Sequence, residues 1–121
     1  EPPADVTVEG DAFLLRRAIT NLVDNAIDFS SPGQVVRLAL KRHGRHADIV
    51  VIDQGPGIPA YAEGRVFEKF YSLARPQGRK KSTGLGLAFV KEVAGLHDGR
   101  VSLHNGVEGG AVATLGLPMA R

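Results

Sequence analysis

The sequence predicts a two-layer α/β sandwich, in which helices cover one face of a mixed, mostly antiparallel β-sheet. Segments with strand and helix periodicity follow one another in the order β-α-β-β-α-β-β. A loop of about thirty residues precedes the second helix, and so long a loop in a small domain is typical of a binding loop or a lid. The 121 residues are 43% hydrophobic and 23% charged, as expected for one globular domain over residues 1–121.

The first predicted elements are a short strand and a long helix. Val6 and Val8 alternate with polar residues, which is typical of a strand. Asp11 is typical of a helix N-cap, and the helix that it opens is predicted over residues 12–29, before Pro32.

The remaining elements are four strands and a second helix. The strands are predicted over residues 35–42, 47–52, 101–104 and 111–117. The second helix is predicted from about Gly84 to Leu96 or His97, where Asp98-Gly99 ends it.

Composition excludes several classes of protein. No apolar run approaches the roughly 20 residues that a membrane-spanning helix needs, and the N-terminus lacks a signal-peptide pattern. The absence of cysteine excludes disulfides and thiolate metal sites, and it fits a reducing compartment. Fifteen basic and thirteen acidic residues leave a net charge of +2, which is poor evidence for nucleic-acid binding.

Polar residues in the first predicted helix indicate a ligand site. The apolar stripe of this helix consists of Leu15, Ala18, Ile19, Leu22, Ala26 and Phe29. Asn21, Asn25 and Asp28 lie along one edge of the stripe, where a side chain can leave the core and meet a ligand. Asparagine lowers helix propensity, so two of them four residues apart suggest a use, and an amide oxygen suits Mg²⁺. The alternative is a pair of exposed asparagines.

The segment from Asp53 to Pro59, Asp-Gln-Gly-Pro-Gly-Ile-Pro, directly follows an apolar strand. An aspartate at a strand end can accept a hydrogen bond from an exocyclic amine such as adenine N6. Gly55 and Gly57 allow the backbone to approach a flat base closely. On its own this pattern is weak, because surface turns often have it.

A third motif, Ser-Thr-Gly-Leu-Gly-Leu over residues 82–87, leads into the second predicted helix. Glycines at a helix N-terminus present backbone N–H groups to an anion, and the helix dipole favours negative charge there. No Gly-Lys-Ser/Thr follows, so this is not a P-loop. The alternative is a helix capped by Thr83, with glycines that only pack closely.

These motifs occur in a fixed order, together with Phe67-Glu68-Lys69-Phe70-Tyr71 and a glycine-rich final strand. The order and spacing, over nearly the whole chain, closely resemble the N, G1, F, G2 and G3 boxes of the GHKL ATP-binding fold in its histidine-kinase branch. Residues 70–73 and 81–90 are similar, more narrowly, to CreC-type sensor kinases.

The resemblance implies a role for each matching residue. Asn25 would coordinate Mg²⁺ with Asn21 beside it at the phosphates, and Asp53 would bind adenine N6. The other implied nucleotide-binding positions are Phe29, Gly55, Gly57, Ile58, Phe70, Thr83, Gly84, Leu85, Gly86, Leu87 and Thr114. Thr114 would lie beneath the purine, and Phe67 and Phe70 would anchor a mobile ATP lid over about residues 72–83.

A cluster of basic residues is then expected to face the phosphates. It consists of Arg65, Lys69, Arg75, Arg79, Lys80 and Lys81. Lys80 or Lys81 is expected to reach the γ-phosphate. Without a nucleotide, the cluster would be interpreted as a solvated basic loop.

Three positions depart from the family pattern. Asp28 stands where many histidine kinases have lysine or arginine, and Ser82 stands where many have the first glycine of the G2 box. Asn21 stands where the hydrolysing relatives have a glutamate that activates water, and asparagine cannot act as that base. This last difference favours phosphoryl transfer over hydrolysis.

The implied function is that of a protein-histidine kinase domain in two-component signal transduction, which binds Mg²⁺-ATP and donates the γ-phosphoryl group to a histidine on a separate dimerisation domain. His43, His46, His97 and His104 lack the acidic, helical context of a phospho-acceptor. The expected parent is a membrane-anchored homodimer that acts on a response regulator. This fragment is expected to be monomeric and cytoplasmic, to bind no nucleic acid, and to lack the dimerisation and sensor domains.

Two alternatives remain open on the sequence. One is an ATP-hydrolysing or serine-phosphorylating member of the superfamily, against which Asn21 argues. The other is a degenerate nucleotide sensor that binds without transferring, which Asp28 and Ser82 support.

Overall fold

The computed structural model describes residues 6–74 and 84–120, and it confirms the two-layer α/β fold class. The helices are α1 (Ala12–Asp28) and α2 (Gly86–Leu96), and a short 3₁₀ turn covers Ala60–Ala62. The strands are β1 (Arg37–His43), β2 (His46–Ile52), β3 (Arg100–Asn105) and β4 (Ala111–Pro118).

The four strands form one sheet in the order β1-β2-β4-β3. All three pairings are antiparallel, so the described part of the sheet contains none of the parallel pairing that a mixed sheet would have. The predicted strand at Val6 and Val8 is wrong. Residues 6–9 have no regular structure, because the backbone there makes an isolated hydrogen bond, from Ala120 N to Thr7 O at 2.7 Å, and not a ladder.

The core lies between the sheet and the two helices. Alternate residues of the central strands face the helices, and all of the following core residues are buried: Val51, Ala113, Leu115, Leu117, Ala18, Leu22, Ala26, Val90, Val93 and Ala94. Small side chains at Ala18 and Ala26, one helical period on either side of Leu22, let α1 lie close against the sheet. Complete burial of a leucine contributes roughly 1.5–3 kcal/mol.

The start of α1 is fixed by two hydrogen bonds. The Asp11 carboxylate accepts from Leu14 N at 2.9 Å, which confirms the predicted N-cap. The Asp11 N–H donates to His97 Nε2 at 3.0 Å, and His97 Nδ1 bonds to Val93 O at 2.8 Å. His97 must therefore carry its proton on Nδ1, and it ties the end of α2 to the start of α1.

Three chain segments meet at the opposite end of the helix layer: the last two turns of α1, the loop that follows β2, and the start of α2. Ile58, Ala62 and Val66 of the loop form a second buried cluster with Ala111 at the start of β4. The long loop is therefore held to the sheet by apolar contacts of its own.

Candidate functional site

A cavity of about 250 Å³ opens where these three segments meet. Nine sequence-predicted residues line it: Asn21, Asn25, Phe29, Asp53, Gly57, Ile58, Gly84, Gly86 and Leu87. The other lining residues are Asp24, Asp28, Val66, Tyr71, Ser72, Leu73, Leu103 and Ala111. The structure thus brings together residues from motifs that are more than sixty positions apart in the sequence.

Asp53 is a buried carboxylate, 6% exposed, at the end of β2. Its Oδ1 accepts two backbone hydrogen bonds, from Gly55 N at 2.9 Å and from Ala111 N at 3.1 Å. Its Oδ2 has no hydrogen-bond partner within residues 6–74 and 84–120. A buried acceptor of this kind is costly without a donor, so Oδ2 is suited to receive an N–H group from a ligand in the cavity.

The cavity wall around Asp53 is mostly apolar. Ile58 and Val66 are nearly buried and pack with Phe67, Tyr71 and Leu103 in the second core cluster. An acidic acceptor set in an apolar wall can hold a flat heterocycle that carries an exocyclic amine, because the ring is desolvated while the amine keeps a hydrogen bond.

Residues from Asn21 to Phe29 line the cavity along α1. At one end lies Phe29, whose carbonyl leaves no room for a side chain at Gly55, because an added Cβ there would come within 2.5 Å of it. At the other end, Asn21 Nδ2 donates to Gly86 O at 3.3 Å, at the first residue of α2. Asn21 precedes Phe29 by eight residues, or about 12 Å of helix rise. A ligand with its ring at Asp53 would therefore extend toward the start of α2.

The part of the cavity that α1 lines is polar. Asn21, Asp24, Asn25 and Asp28 follow one another on this face of the helix. The Asn25 side chain makes no hydrogen bond to any described residue, so its amide oxygen is available to a ligand or a cation. No group of three or more His, Cys, Asp or Glu residues suited to a metal occurs in the described ranges.

The start of α2 can accept an anion. The helix begins at Gly86, has no acidic residue in its first turn, and has no side-chain hydrogen bond at its N-cap, Leu85. Gly86 and Leu87 line the cavity, so the positive end of the helix dipole faces it. The N-cap position is Leu85, and Thr83, the capping residue of the alternative interpretation, lies outside the described residues.

Gly84, near the end of the long loop, is in backbone contact with Phe70 of the same loop. Its φ of +79° is unfavourable for other residues, and an added Cβ would come within 2.5 Å of the Phe70 carbonyl carbon. The Phe70 N–H donates to Gly84 O at 3.0 Å. The second glycine-rich motif is therefore held against the Phe-Tyr motif by backbone contact.

Some predicted residues do not line the cavity. Thr114 does not lie at the cavity, where it was predicted beneath the purine. Successive strand residues alternate, and Ala113 and Leu115 face the core, so Thr114 lies on the sheet face away from the helices. Phe70 and Leu85 are 74% and 40% exposed and do not line the cavity either. Gly55 contacts Asp53 but is not part of the lining.

Lys80, Lys81 and Thr83 lie outside the described residues, as does most of the predicted lid. Their predicted contacts with the phosphates stay predictions. Within the basic cluster, Arg65 pairs with Glu68 at 3.3 Å, and its guanidinium lies 4.5 Å from the centre of the Tyr71 ring. Arg65 therefore supports a residue of the cavity wall.

Ala111 was not predicted from the sequence, although its N–H anchors the Asp53 carboxylate. Leu103 and Tyr71 were not predicted as lining residues either. An alanine carries no chemical signal, and its role arises from its backbone N–H at the first residue of β4. The position of Ala111 directly after Gly109-Gly110 was the available signal, because a tight turn there allows close approach to the neighbouring chain.

The sequence is similar to known proteins over nearly its whole length. Residues 10–121 match the family described as histidine kinase-, DNA gyrase B- and HSP90-like ATPase. The sensor protein CreC of Escherichia coli K12 is 49% identical over 115 residues, which are 95% of this chain and 24% of that protein. The sensor-like histidine kinase SenX3 of Mycobacterium tuberculosis H37Rv is 40% identical over 119 residues, which are 98% of this chain and 29% of that protein. The chain thus spans less than a third of either relative.

Solved structures resemble the fold closely. The mycobacterial sensor histidine kinase MprB has a TM-score of 0.81 and 37% identity, over 93% of this chain and 74% of that chain. The ATP-binding domain of PrrB from Mycobacterium tuberculosis has a TM-score of 0.76 and 31% identity, over all of this chain and 78% of that chain. The described residues contain no helix that is long and apolar enough to cross a membrane.

Proposed function

The chain belongs to the family of histidine kinase-, DNA gyrase B- and HSP90-like ATPases, and from that premise we propose that it binds Mg²⁺-ATP and donates the γ-phosphoryl group to a histidine on a separate dimerisation domain. It is an ATPase domain of the sensor histidine kinase type. The observation that carries the proposal is the Asp53 carboxylate, buried in the cavity with Oδ2 left unpaired among the described residues.

Asp53 recognises the adenine ring. Oδ1 is held by the N–H groups of Gly55 and Ala111, so Oδ2 is fixed in position before the ligand arrives. The exocyclic N6 donates to Oδ2, and Ile58 and Leu103 contact the ring. A 6-oxo base would place an acceptor against this carboxylate, and the repulsion selects adenine over guanine.

The phosphates lie toward the start of α2. The backbone N–H groups of its first turn and the positive end of its dipole favour a polyphosphate at this position. Asn21 holds its orientation through Gly86 O.

The residues of the α1 face fit a magnesium ion. The Asn25 amide oxygen is a neutral, hard ligand without a partner among the described residues, and Mg²⁺ is commonly bound by one or two protein oxygens together with substrate phosphates. When bound, the ion would neutralise charge on the transferred phosphoryl group. Asn25 supplies the ligand, while the carboxylate of Asp24 adds negative charge to this side of the cavity.

The transfer step requires little covalent chemistry from this chain. The nucleophile is the imidazole of the acceptor histidine, which attacks the γ-phosphorus as the bond to the β–γ bridging oxygen breaks and ADP leaves. Positioning and charge neutralisation provide most of the catalysis in such reactions. Asn21 and Asn25 cannot remove a proton from water at neutral pH, so they do not direct the reaction toward hydrolysis.

The parent protein is, on this proposal, a membrane-anchored dimeric sensor kinase that passes the phosphoryl group to a response regulator. The present chain would be its cytoplasmic ATP-binding part and would be monomeric in isolation. The 49% identity to the sensor protein CreC over 95% of this chain supports this assignment.

Phosphotransfer from labelled ATP tests the proposal. Incubated with γ-labelled ATP and Mg²⁺, the chain alone should stay unlabelled, and adding the parent's dimerisation hairpin should give an acid-labile, base-stable label on the hairpin. A hairpin with its acceptor histidine replaced by glutamine is the control. A label on His43, His46, His97 or His104 of this chain would contradict the donor-only role. ATP binding without hairpin labelling would favour the degenerate sensor, and steady release of phosphate would favour a hydrolase.

A further inference from the structure

Asn105, the last residue of β3, makes two hydrogen bonds to one residue of the long loop. Its Oδ1 accepts from Ile58 N at 2.6 Å, and its Nδ2 donates to Ile58 O at 3.0 Å. A side-chain amide thus satisfies both backbone groups of Ile58, as a neighbouring strand residue would.

This contact is the main polar attachment available to the segment. Pro56 and Pro59 flank Gly57 and Ile58 and have no N–H, so the segment has two backbone donors, of which Asn105 binds one. Gly57 has φ of +80°, and an added Cβ would lie 2.6 Å from Asn105 Oδ1 and 2.7 Å from Gly109 O. The segment is therefore pressed against the β3–β4 hairpin.

The attached residues form part of the cavity wall. Ile58 is 7% exposed, and both Gly57 and Ile58 line the cavity with Asp53. The Ile58 side chain also packs with Ala111, whose N–H binds the Asp53 carboxylate. The distance between the apolar wall and the carboxylate thus depends on where the hairpin holds Ile58.

We propose that Asn105 is a positioning residue that sets the width of the base slot, by holding Ile58 at the distance from Asp53 at which a purine fits. The proposal rests on the proposed function, because it assumes that a base occupies this part of the cavity. Asn105 acts through Ile58, so its loss should weaken binding of the base and leave binding of the phosphates unchanged.

Calorimetry with three ligands tests this role: adenosine, ATP and inorganic tripolyphosphate. In Asn105→Ala, the wall keeps its binding position in a smaller fraction of molecules, and we expect adenosine and ATP to lose affinity by the same factor, about tenfold. Tripolyphosphate affinity should not change. Ser102→Ala is the matched control, since Ser102 lies on β3 but its strand partner is Thr114, on the sheet face away from the cavity.

Asn105→Asp separates the two hydrogen bonds. The aspartate still accepts from Ile58 N–H but sets a carboxylate against Ile58 O, so adenosine affinity should again fall while the fold is retained. This variant decides the question if Asn105→Ala does not fold. Unchanged adenosine affinity, or an equal loss for tripolyphosphate, would overturn the positioning role. A wild-type chain that binds neither adenosine nor ATP would overturn the proposed function, and the positioning role with it.

Discussion

Asp53→Asn should lower the affinity of the chain for ATP roughly 100-fold, because a hydrogen bond to a buried charged group is worth up to about 3 kcal/mol. The fold should be retained. The asparagine carbonyl oxygen can replace Oδ1 and still accept from Gly55 and Ala111, which leaves the NH₂ group in the place of Oδ2. That NH₂ would then meet the N6 amine of adenine, donor against donor.

The same substitution should favour a base with the opposite hydrogen-bonding pattern. Inosine triphosphate carries an acceptor at position 6, so its affinity should fall less than that of ATP or should rise. Calorimetric titration of both nucleotides gives the ratio directly. Asp48→Asn is the control. Asp48 lies on the same strand, but it pairs with Gly116 of β4 and belongs to the sheet face away from the cavity. Equal changes for ATP and inosine triphosphate would remove Asp53 from the base pocket.

Asn25→Ala should abolish most of the magnesium-dependent part of ATP binding. The ATP affinity in Mg²⁺ should fall on the order of tenfold or more, because the ion loses its amide ligand. Binding in EDTA should change little, because the base contacts do not involve this residue. The alanine removes a side chain that makes no hydrogen bond to the described residues, and alanine is the better helix former, so stability should not fall.

Titrations of wild type and Asn25→Ala, each with Mg²⁺ and with EDTA, measure this effect as a double difference. Thr20→Ala is the control on the same helix, since Thr20 is exposed and its hydroxyl, within the described part of the chain, bonds only to Arg16 O. Equal losses in the two conditions would show that Asn25 contacts the nucleotide directly or supports the fold, and the metal role would be lost.

The fold could be predicted from the sequence because its signals are local. Helix periodicity and the Asp11 cap gave α1 within one residue of its observed end, and apolar alternation gave all four sheet strands. The strand at Val6 and Val8 failed because a pattern of two alternating residues does not determine whether a hydrogen-bonded neighbour is available. The backbone there bonds instead to Ala120.

The candidate site was predictable where chemistry depends on side chains, as for Asp53, Asn21 and Asn25. It was not predictable where a backbone group makes the contact, and the N–H of Ala111 is the main example. Thr114 was named only because the resemblance implied it, and the register of β4 puts its side chain on the sheet face opposite the cavity. The role of Asn105 was not predicted, because its hydrogen-bond partner, Ile58, is 47 positions away in the sequence.

The most direct test is a titration of the ¹⁵N-labelled chain with Mg²⁺-ATP, followed by amide chemical shifts. We expect the largest changes at Ile58, Gly86 and Ala111, which line the cavity from three different segments of the chain, and at Gly55, whose N–H binds the Asp53 carboxylate. Ser102 and Thr114, paired on the opposite sheet face, should be unaffected. Changes concentrated at Ser102 and Thr114, with none at Ala111 or Gly55, would contradict the assignment of this cavity as the nucleotide site.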